Sequence, residues 1–536
     1  MNATFARRTL GFSILVGLGY AAALQGCAGI SSETCTDLLT CVDGGSSLGD
    51  GATPVTDGTM ITPKDGASDA PPITADGDDG STSMGDTGVD TGVDATPPCD
   101  PAKTPAQDGC VINDELAIFV APSGNDTNAG TMEAPVKTLA HAVTLAVTAS
   151  AHRVIACAAT YSETLTLAAA DDVGLQIFGG VTCPGGDAGT AWTYTGAKAA
   201  AKPTAHGYAL SVSDLAHALD IEDFEFDAQN GTAAGESSIA GFVSGSSGGV
   251  TLERVTFVAG TAVTGTSGAT PTTVLPVANP GTSGANGGGQ VTCACSDSGL
   301  QSVGGAGGLN ANGNPGLPNL GGGAGGNAAL GCGVGGAGSD GNGATPPAPG
   351  GGAATLGSLT ASGWTPTGGI AGSAGGPGQG GGGGGGAPSA TGGGGACGGC
   401  GGAGASPGLG GGSSIALLVY QSEATLNSSV LTAKTAGSGG AGKPGQAGAG
   451  GATHGVGSGA CNGGNGGSGA QGGASGGGSG GVSVGILYSS TGSAPTVDSA
   501  TTGAITVGAA GALGQGGATP TNDGKAGVAQ GVLGFP

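Results

Sequence analysis

The densest set of ionisable side chains in the chain is Asp220, Glu222, Asp223, Glu225 and Asp227, followed one repeat later by Glu253 and Arg254. Clustered carboxylates can hold a divalent cation, and a basic residue beside them can move a proton. Ile221, Phe224 and Phe226 alternate with these acids, and Leu252, Val255 and Phe257 repeat the spacing. If Ile221 stacks on Leu252, Glu222 lies near Glu253 and Asp223 near Arg254. The plainer alternative is the solvated outer face of a strand with one ion pair, worth roughly 0–1 kcal/mol. Outward charges are what any half-exposed strand needs. The five acids are therefore read as a surface cluster, with no catalytic residue and no metal ligand assigned.

The other reactive side chains are cysteines. There are 13, and setting Cys27 aside leaves an even twelve. Cys397-Gly-Gly-Cys400 has the spacing of half a zinc site or of a redox pair. A zinc site needs a second such pair and often histidine, and the only late histidine is His454. A redox pair needs a thioredoxin-like setting, which is missing. Structural disulfides are expected instead: Cys35–Cys41, Cys99–Cys110, Cys157–Cys183, and bridges for Cys397 and Cys400 within the glycine-rich part. No histidine has partner Ser and Asp residues in a nucleophile setting, and no GxxxxGK[ST] phosphate loop occurs. Trp192 and Tyr194 carry ring faces that suit sugars, but such residues more often fill a turn. No cofactor is expected.

The elements that must position these residues begin at 116. Ala117-Ile-Phe-Val120 reads as a strand, and Leu139, Ala142, Val143, Ala146 and Val147 form one apolar helical stripe. Short strands follow at 153–157, 163–167 and 174–178. Three longer units then recur, from Ile239 to Phe257, from Ile415 to Leu431 and from Val484 to Val507. None can bury an apolar face alone, which is the mark of a solenoid. The inward residue, two-residue break and two alternating inward residues of Ile221-x-x-Phe224-x-Phe226 suit a strand that bends at a corner.

Between these units lie tracts of glycine, at about 261–412, 437–481 and 508–530. They are read as long Gly-rich loops leaving the turns of the solenoid. Their glycines also keep a three-residue register, at 463, 466, 469, 472, 478 and 481 for example. In a polyproline II helix that register makes one bare edge, along which helices can pack side by side.

Glycine supplies 126 of 536 residues, and charged residues are only 9%, which excludes one large globular enzyme. The net charge of −24 excludes a nucleic-acid partner, which would demand a cationic footprint. Much of that charge is local. Residues 27–115 hold seventeen Asp and Glu against Lys64 and Lys103. This acidic, low-complexity stretch is expected to be a disordered tether. Before it, Arg7-Arg8 and an apolar run to Leu24 read as a signal peptide over 1–26.

Two resemblances follow. Leu24-Gln25-Gly26-Cys27 resembles a bacterial lipobox, which implies lipidation of Cys27, and Ala28 implies sorting to the outer membrane or cell surface. Ser123-Gly-Asn-Asp-Thr-Asn-Ala-Gly-Thr131 with Pro135-Val-Lys-Thr-Leu139 resembles the start of right-handed parallel β-helix proteins of the pectate-lyase-like class. Val136 stands where that pattern has Phe. The resemblance implies an all-β solenoid over 116–260 and 413–536, closed at its N-terminal end by a capping helix and split by the 261–412 insertion. The plan of acylated cysteine, acidic tether, β-helix and glycine tracts is similar to the Gly-rich, PGRS-like surface lipoproteins. It implies a non-enzymatic, structural or adhesive protein whose partners are the membrane, through its anchor, and an extracellular glycan or another surface protein. The alternative is a glycan binder or a polysaccharide lyase. Lyases of this fold use carboxylates on calcium and a basic residue as base, roles that would fall to Asp220, Glu222, Asp223 and Arg254. Only 3 of the 12 basic residues lie beyond 254, too few for a polyuronate groove.

Overall fold

A computed structural model describes residues 99–536, except 151, 185–190, 287, 297–298, 329–331 and 333–335. The acidic turn formed by 99–110, the strands and the glycine tracts belong to one compact unit. Cys27, Cys35 and Cys41, with the signal and most of the tether, lie outside the described residues.

The strands are mostly short and parallel, and among the described residues they form three large sheets, with two small antiparallel hairpins, Val291–Ala294 with Gln301–Gly304 and Gly357–Thr360 with Gly363–Pro366. The chain visits the sheets in rotation. Leu219–Glu222 lies in the first, Phe224–Asp227 in the second and Ser238–Ser244 in the third. Val250–Glu253 then pairs with Leu219–Glu222, and Thr256–Val258 with Phe224–Asp227. Each turn therefore lays its strands on those of the turn before. Ile221 stands beside Leu252 and Leu252 beside Leu426, as the repeat spacing predicted. Ile239, Ile415 and Val484 share one rank in the third sheet although the sequence separates the first two widely.

The corner between the first and second sheets has a simple cause. Asp223, Arg254 and Ser428 have φ of 55°, 51° and 49°, one left-handed residue per turn. That residue reverses the side-chain alternation, so Ile221 and Phe224 both face inward. The interior is apolar: Phe224, Phe226 and Phe257 are fully buried, with Phe226 and Phe257 stacked 5.3 Å apart.

The helix Leu139–Thr148 packs on the first strands through Leu139, Ala142, Val143 and Ala146. Its N-terminal donors are all claimed. Thr138 caps it, Asp126 accepts from the amides of Lys137 and Thr138, and Glu163 accepts from Leu139 and Ala140. The Ser-Gly-Asn-Asp segment thus works as a helix-start device.

Two expectations are corrected. The tether does not run to 115: residues 99–110 form a turn closed by the Cys99–Cys110 disulfide, with Val111 and Ile112 buried behind it. And the glycine tracts are not loose loops. Every excursion leaves between a second-sheet strand and the next third-sheet strand, after Val258, Thr432 and Thr506. Each excursion consists of extended segments that run out and back, hydrogen-bonded at every third residue. The amides of 369, 372, 375, 378, 381 and 384 donate to the carbonyls of 408, 405, 402, 399, 396 and 393. Those of 463, 466, 469, 472, 475, 478 and 481 donate to 455, 452, 449, 446, 443, 440 and 437. A three-residue period is that of polyproline II, here with its backbone groups paired between segments rather than solvated.

Glycine density follows the number of neighbours. Residues 378–386 sit in the middle of the bundle. Their amides donate in rotation to 393–399, to 336–342 and to 311–317. The carbonyls of 379, 382 and 385 accept from 467, 464 and 461, while 381 and 384 accept from 305 and 308, and 383 accepts from 326. Gln379 turns its buried amide onto the carbonyls of Gly316 and Gly322, but from there on the neighbours leave no side for a side chain, and Gly380 to Gly386 are seven consecutive buried glycines. A Cβ on Gly381 would fall on the carbonyl of Gly464, and one on Gly383 on that of Ala306. In the segment 397–406 side chains recur at every third residue, Cys397, Cys400, Ala403 and Ser406, passing from two buried cysteines to an exposed serine.

Candidate functional site

The corner residues Asp223 and Arg254 organise the charged cluster. Being stacked at the same left-handed position, they place Arg254 against the strand ends of two turns. Its Nε donates to Asp223 Oδ1 at 2.9 Å, its Nη2 to Glu222 Oε2 at 2.6 Å and to Asp223 Oδ2 at 3.1 Å, and its Nη1 to Glu253. Burial alone would lower the Arg254 value, but the hydrogen bonds and charges of Asp223 and Glu222 outweigh it and drive the value further up. A guanidinium so held cannot act as a base. Burial pushes the Glu222 carboxyl upward against the pull of Arg254.

Tyr194 and Lys198, from the neighbouring antiparallel strand and its end, complete the group. The Tyr194 hydroxyl donates to Asp223 Oδ2 at 3.1 Å, and Lys198 Nζ donates to Thr256 Oγ1. Burial lowers the Lys198 value, and the nearby Asp223 and Glu225 act the other way. Sequence reasoning found no second basic residue for this group. Lys198 lies in an alanine-rich run whose apolar pattern gives no register, and only the pairing of Ala199 with Phe224 brings it here.

The five acids do not converge. Asp220 is on a separate outward row, where Gln176 Nε2 reaches its Oδ2 at 3.4 Å. Glu225 and Asp227 lie past the corner on the second sheet and bind Lys202 at 2.8 and 3.5 Å. The calcium set of Asp220, Glu222 and Asp223 implied by the lyase resemblance is thus divided, and the position between Glu222 and Asp223 is filled by Arg254. Among the described residues, no three His, Cys, Asp or Glu side chains are placed to hold a metal.

Trp192 is not a sugar platform. It is buried edge-on against Phe119 at 4.8 Å, and its indole N–H donates to the carbonyl of Met132 at 2.8 Å.

The cysteines divide between fold and bundle. Cys99–Cys110 and Cys157–Cys183 form as expected from their spacing. Cys397 and Cys400 pair with Cys293 and Cys295. The two-residue spacing Cys-Gly-Gly-Cys puts both thiols on one edge of an extended three-residue helix, facing a hairpin that carries the other two. Not all twelve remaining cysteines are bridged: Cys332 and Cys461 are free thiols. Burial pushes the Cys461 thiol up to about 11, with a hydrogen bond to Cys332 adding to it.

No helix among the described residues is long and apolar enough to cross a membrane. No protein-family model, curated protein or solved structure matches the chain.

Proposed function

We propose that this is a non-enzymatic surface lipoprotein, structural or adhesive, in which a right-handed parallel β-helix carries an ordered glycine bundle away from the cell. The observation that carries the reading is the bundle itself. All three excursions leave the same corner of the coil and interlock through backbone hydrogen bonds, and the first is cross-linked within itself by Cys293–Cys397 and Cys295–Cys400. Such an array is stiff and almost free of charge, which suits a presented surface better than a reaction chamber. Rotation of the chain through three parallel sheets supports the β-helix, and the right-handed sense follows from the near-universal hand of parallel crossovers. The lipobox at Cys27 supplies the anchor, and the acidic segment behind it supplies reach.

The test has two arms. Cys27→Ser should release the protein from the membrane fraction or block its processing, and unchanged association with normal processing would overturn the anchor. A chain lacking 265–410 should keep its strand content, because Ile239 and Ile415 are already adjacent ranks, yet lose attachment of cells to surfaces. Full attachment without the bundle would overturn the adhesive role. We expect no calcium-dependent cleavage of polygalacturonate. Cleavage abolished by Arg254→Ala would favour the lyase instead.

A further inference from the structure

Where the bundle meets the outer face of the third sheet, a cleft of about 370 Å³ opens, lined by His206, Tyr208, Glu236, Ser237, Trp364 and Pro366. It uses none of the residues of the Arg254 group. Its two aromatic walls are fixed. Tyr208 leans on Phe242 with ring centres 5.1 Å apart. Trp364 meets Phe535 edge-on at 4.9 Å, and its indole N–H is committed to Ser413 Oγ at 2.9 Å. Gly363, at φ 108°, lets the hairpin carrying Trp364 close over Tyr208, where a Cβ would strike the phenol oxygen.

The polar groups are equally well placed. Glu236 Oε2 accepts from the Thr232 amide at 2.6 Å, the Thr232 hydroxyl at 3.1 Å and the Ala233 amide at 2.8 Å. Among the described residues its Oε1 has one partner, His206 Nδ1 at 3.2 Å, and so keeps acceptor capacity. The backbone hydrogen bonds from Ala233 and Thr232 hold this carboxyl below its ordinary value. The half-buried Tyr208 hydroxyl makes no hydrogen bond among the described residues, and Ser237 Oγ accepts from the Ser413 amide with its own proton unspent.

We propose that this cleft binds one or two rings of a neutral polysaccharide. A pyranose ring has an apolar C–H face and an equatorial belt of hydroxyls, which suit a fixed aromatic wall and a few donors and acceptors at its rim. The volume is at the small end of ligand clefts, roughly 300–1,000 Å³. The fixed negative charge of Glu236 repels uronates and accepts from a sugar hydroxyl. The inference goes beyond the presentation role and does not depend on the anchor, because it is tested on the soluble, unlipidated chain.

The probes are methyl β-galactoside, tri-N-acetylchitotriose and trigalacturonate, titrated against the soluble chain by saturation-transfer NMR and calorimetry. At least one neutral probe should bind saturably, with transfer strongest at its ring C–H protons. Tyr208→Ala should weaken that binding at least about tenfold, and Glu236→Gln about threefold or more. Both variants are to be checked for an unchanged thermal midpoint, and Glu236→Gln alone decides if Tyr208→Ala fails to fold. Trigalacturonate should bind at least about tenfold more weakly than the neutral probe. Absence of saturable binding by both neutral probes, equal binding of trigalacturonate, or indifference to the Glu236→Gln and Tyr208→Ala changes would each overturn the proposal.

Discussion

Phe226 in the coil and Gly383 in the bundle are both buried, yet nothing about their surroundings is alike. Phe226 lies between the rings of Phe224 and Phe257, at 5.7 and 5.3 Å, and its neighbours are side chains. Gly383 is surrounded by backbone. Its amide donates to Asn314, its carbonyl accepts from Gly326, and a Cβ would meet Ala306. The coil excludes water by filling space with hydrocarbon, at roughly 25 cal/mol for each Å² covered. The bundle buries little hydrocarbon beyond Leu356 and Trp364 at its root and the small cluster of Ala278, Cys293 and Cys397. It is held by paired backbone groups and by cross-links that shorten the free loop, the second route by which chains with little core become stable. One consequence is opposite tolerance: the coil accepts any apolar residue of suitable size, while 380–386 in the middle of the bundle accepts only glycine.

The sharpest way to break this contrast is Gly383→Val. The added side chain meets backbone that cannot turn away, so the cost should exceed the roughly 1–3 kcal/mol of ordinary core overpacking. Hydrogen exchange should show protection lost across 369–412 and 461–481 while the coil strands keep theirs. Unchanged protection in the bundle would refute the backbone-packing account.

Next comes loss of both bundle disulfides, by Cys397→Ser with Cys400→Ser. The bridges span 104 and 105 residues, and a closed loop near that length is worth about 4.7 kcal/mol in the chain-entropy picture. Both bridges close nearly the same loop, so either single change should cost far less than the double one. Single-variant losses of bundle protection that add up to the double-variant loss would show instead that the two bridges act separately.

Phe226→Ala should cost roughly 3–5 kcal/mol, read as a fall in the unfolding midpoint of the coil. The bundle is rooted in that coil, so its protection should fall in parallel. A coil that melts while the bundle remains protected would mean that the bundle folds alone.

The smallest effect concerns acid. Burial would raise the Asp126 carboxyl, but the amides of Thr138 and Lys137 bring it below its ordinary value in the folded protein. Its contribution is therefore present above the unfolded carboxylate value of about 4 and is lost as pH falls through the lower folded value. Exchange at the first turn of Leu139–Thr148 should rise in that window, and Asp126→Asn should flatten the response. No difference between the two chains would remove Asp126 from the cap.

Much of the coil was legible in the residues. The Ile221, Leu252 and Leu426 rank follows from spacing alone, because a strand alternates with period two and one left-handed corner resets the alternation. The helix stripe was legible for the same kind of reason. The charged group was half legible: the repeat put Asp223 beside Arg254, but Tyr194 and Lys198 come from an antiparallel strand whose composition carries no pattern. The cleft was not legible at all. Its walls come from different parts of the chain, Tyr208 from the coil just before the strand Leu210–Ser213 and Trp364 from a hairpin inside the 261–412 insertion, and neither sits in a motif.

The sequence by itself determined the periods, two in the strands and three in the glycine tracts, because a period is a property of the local backbone and of which faces must stay apolar or bare. It also determined the short-range disulfides Cys99–Cys110 and Cys157–Cys183. Only the tertiary structure decided which segments sit beside which. Glycine edges are alike, so nothing in 463–481 says that its partners are 437–455 and not another tract of the same register. That choice is fixed by the coil, whose stacked turns launch every excursion from one corner and so set which extended segments run out together and which Cys residues meet.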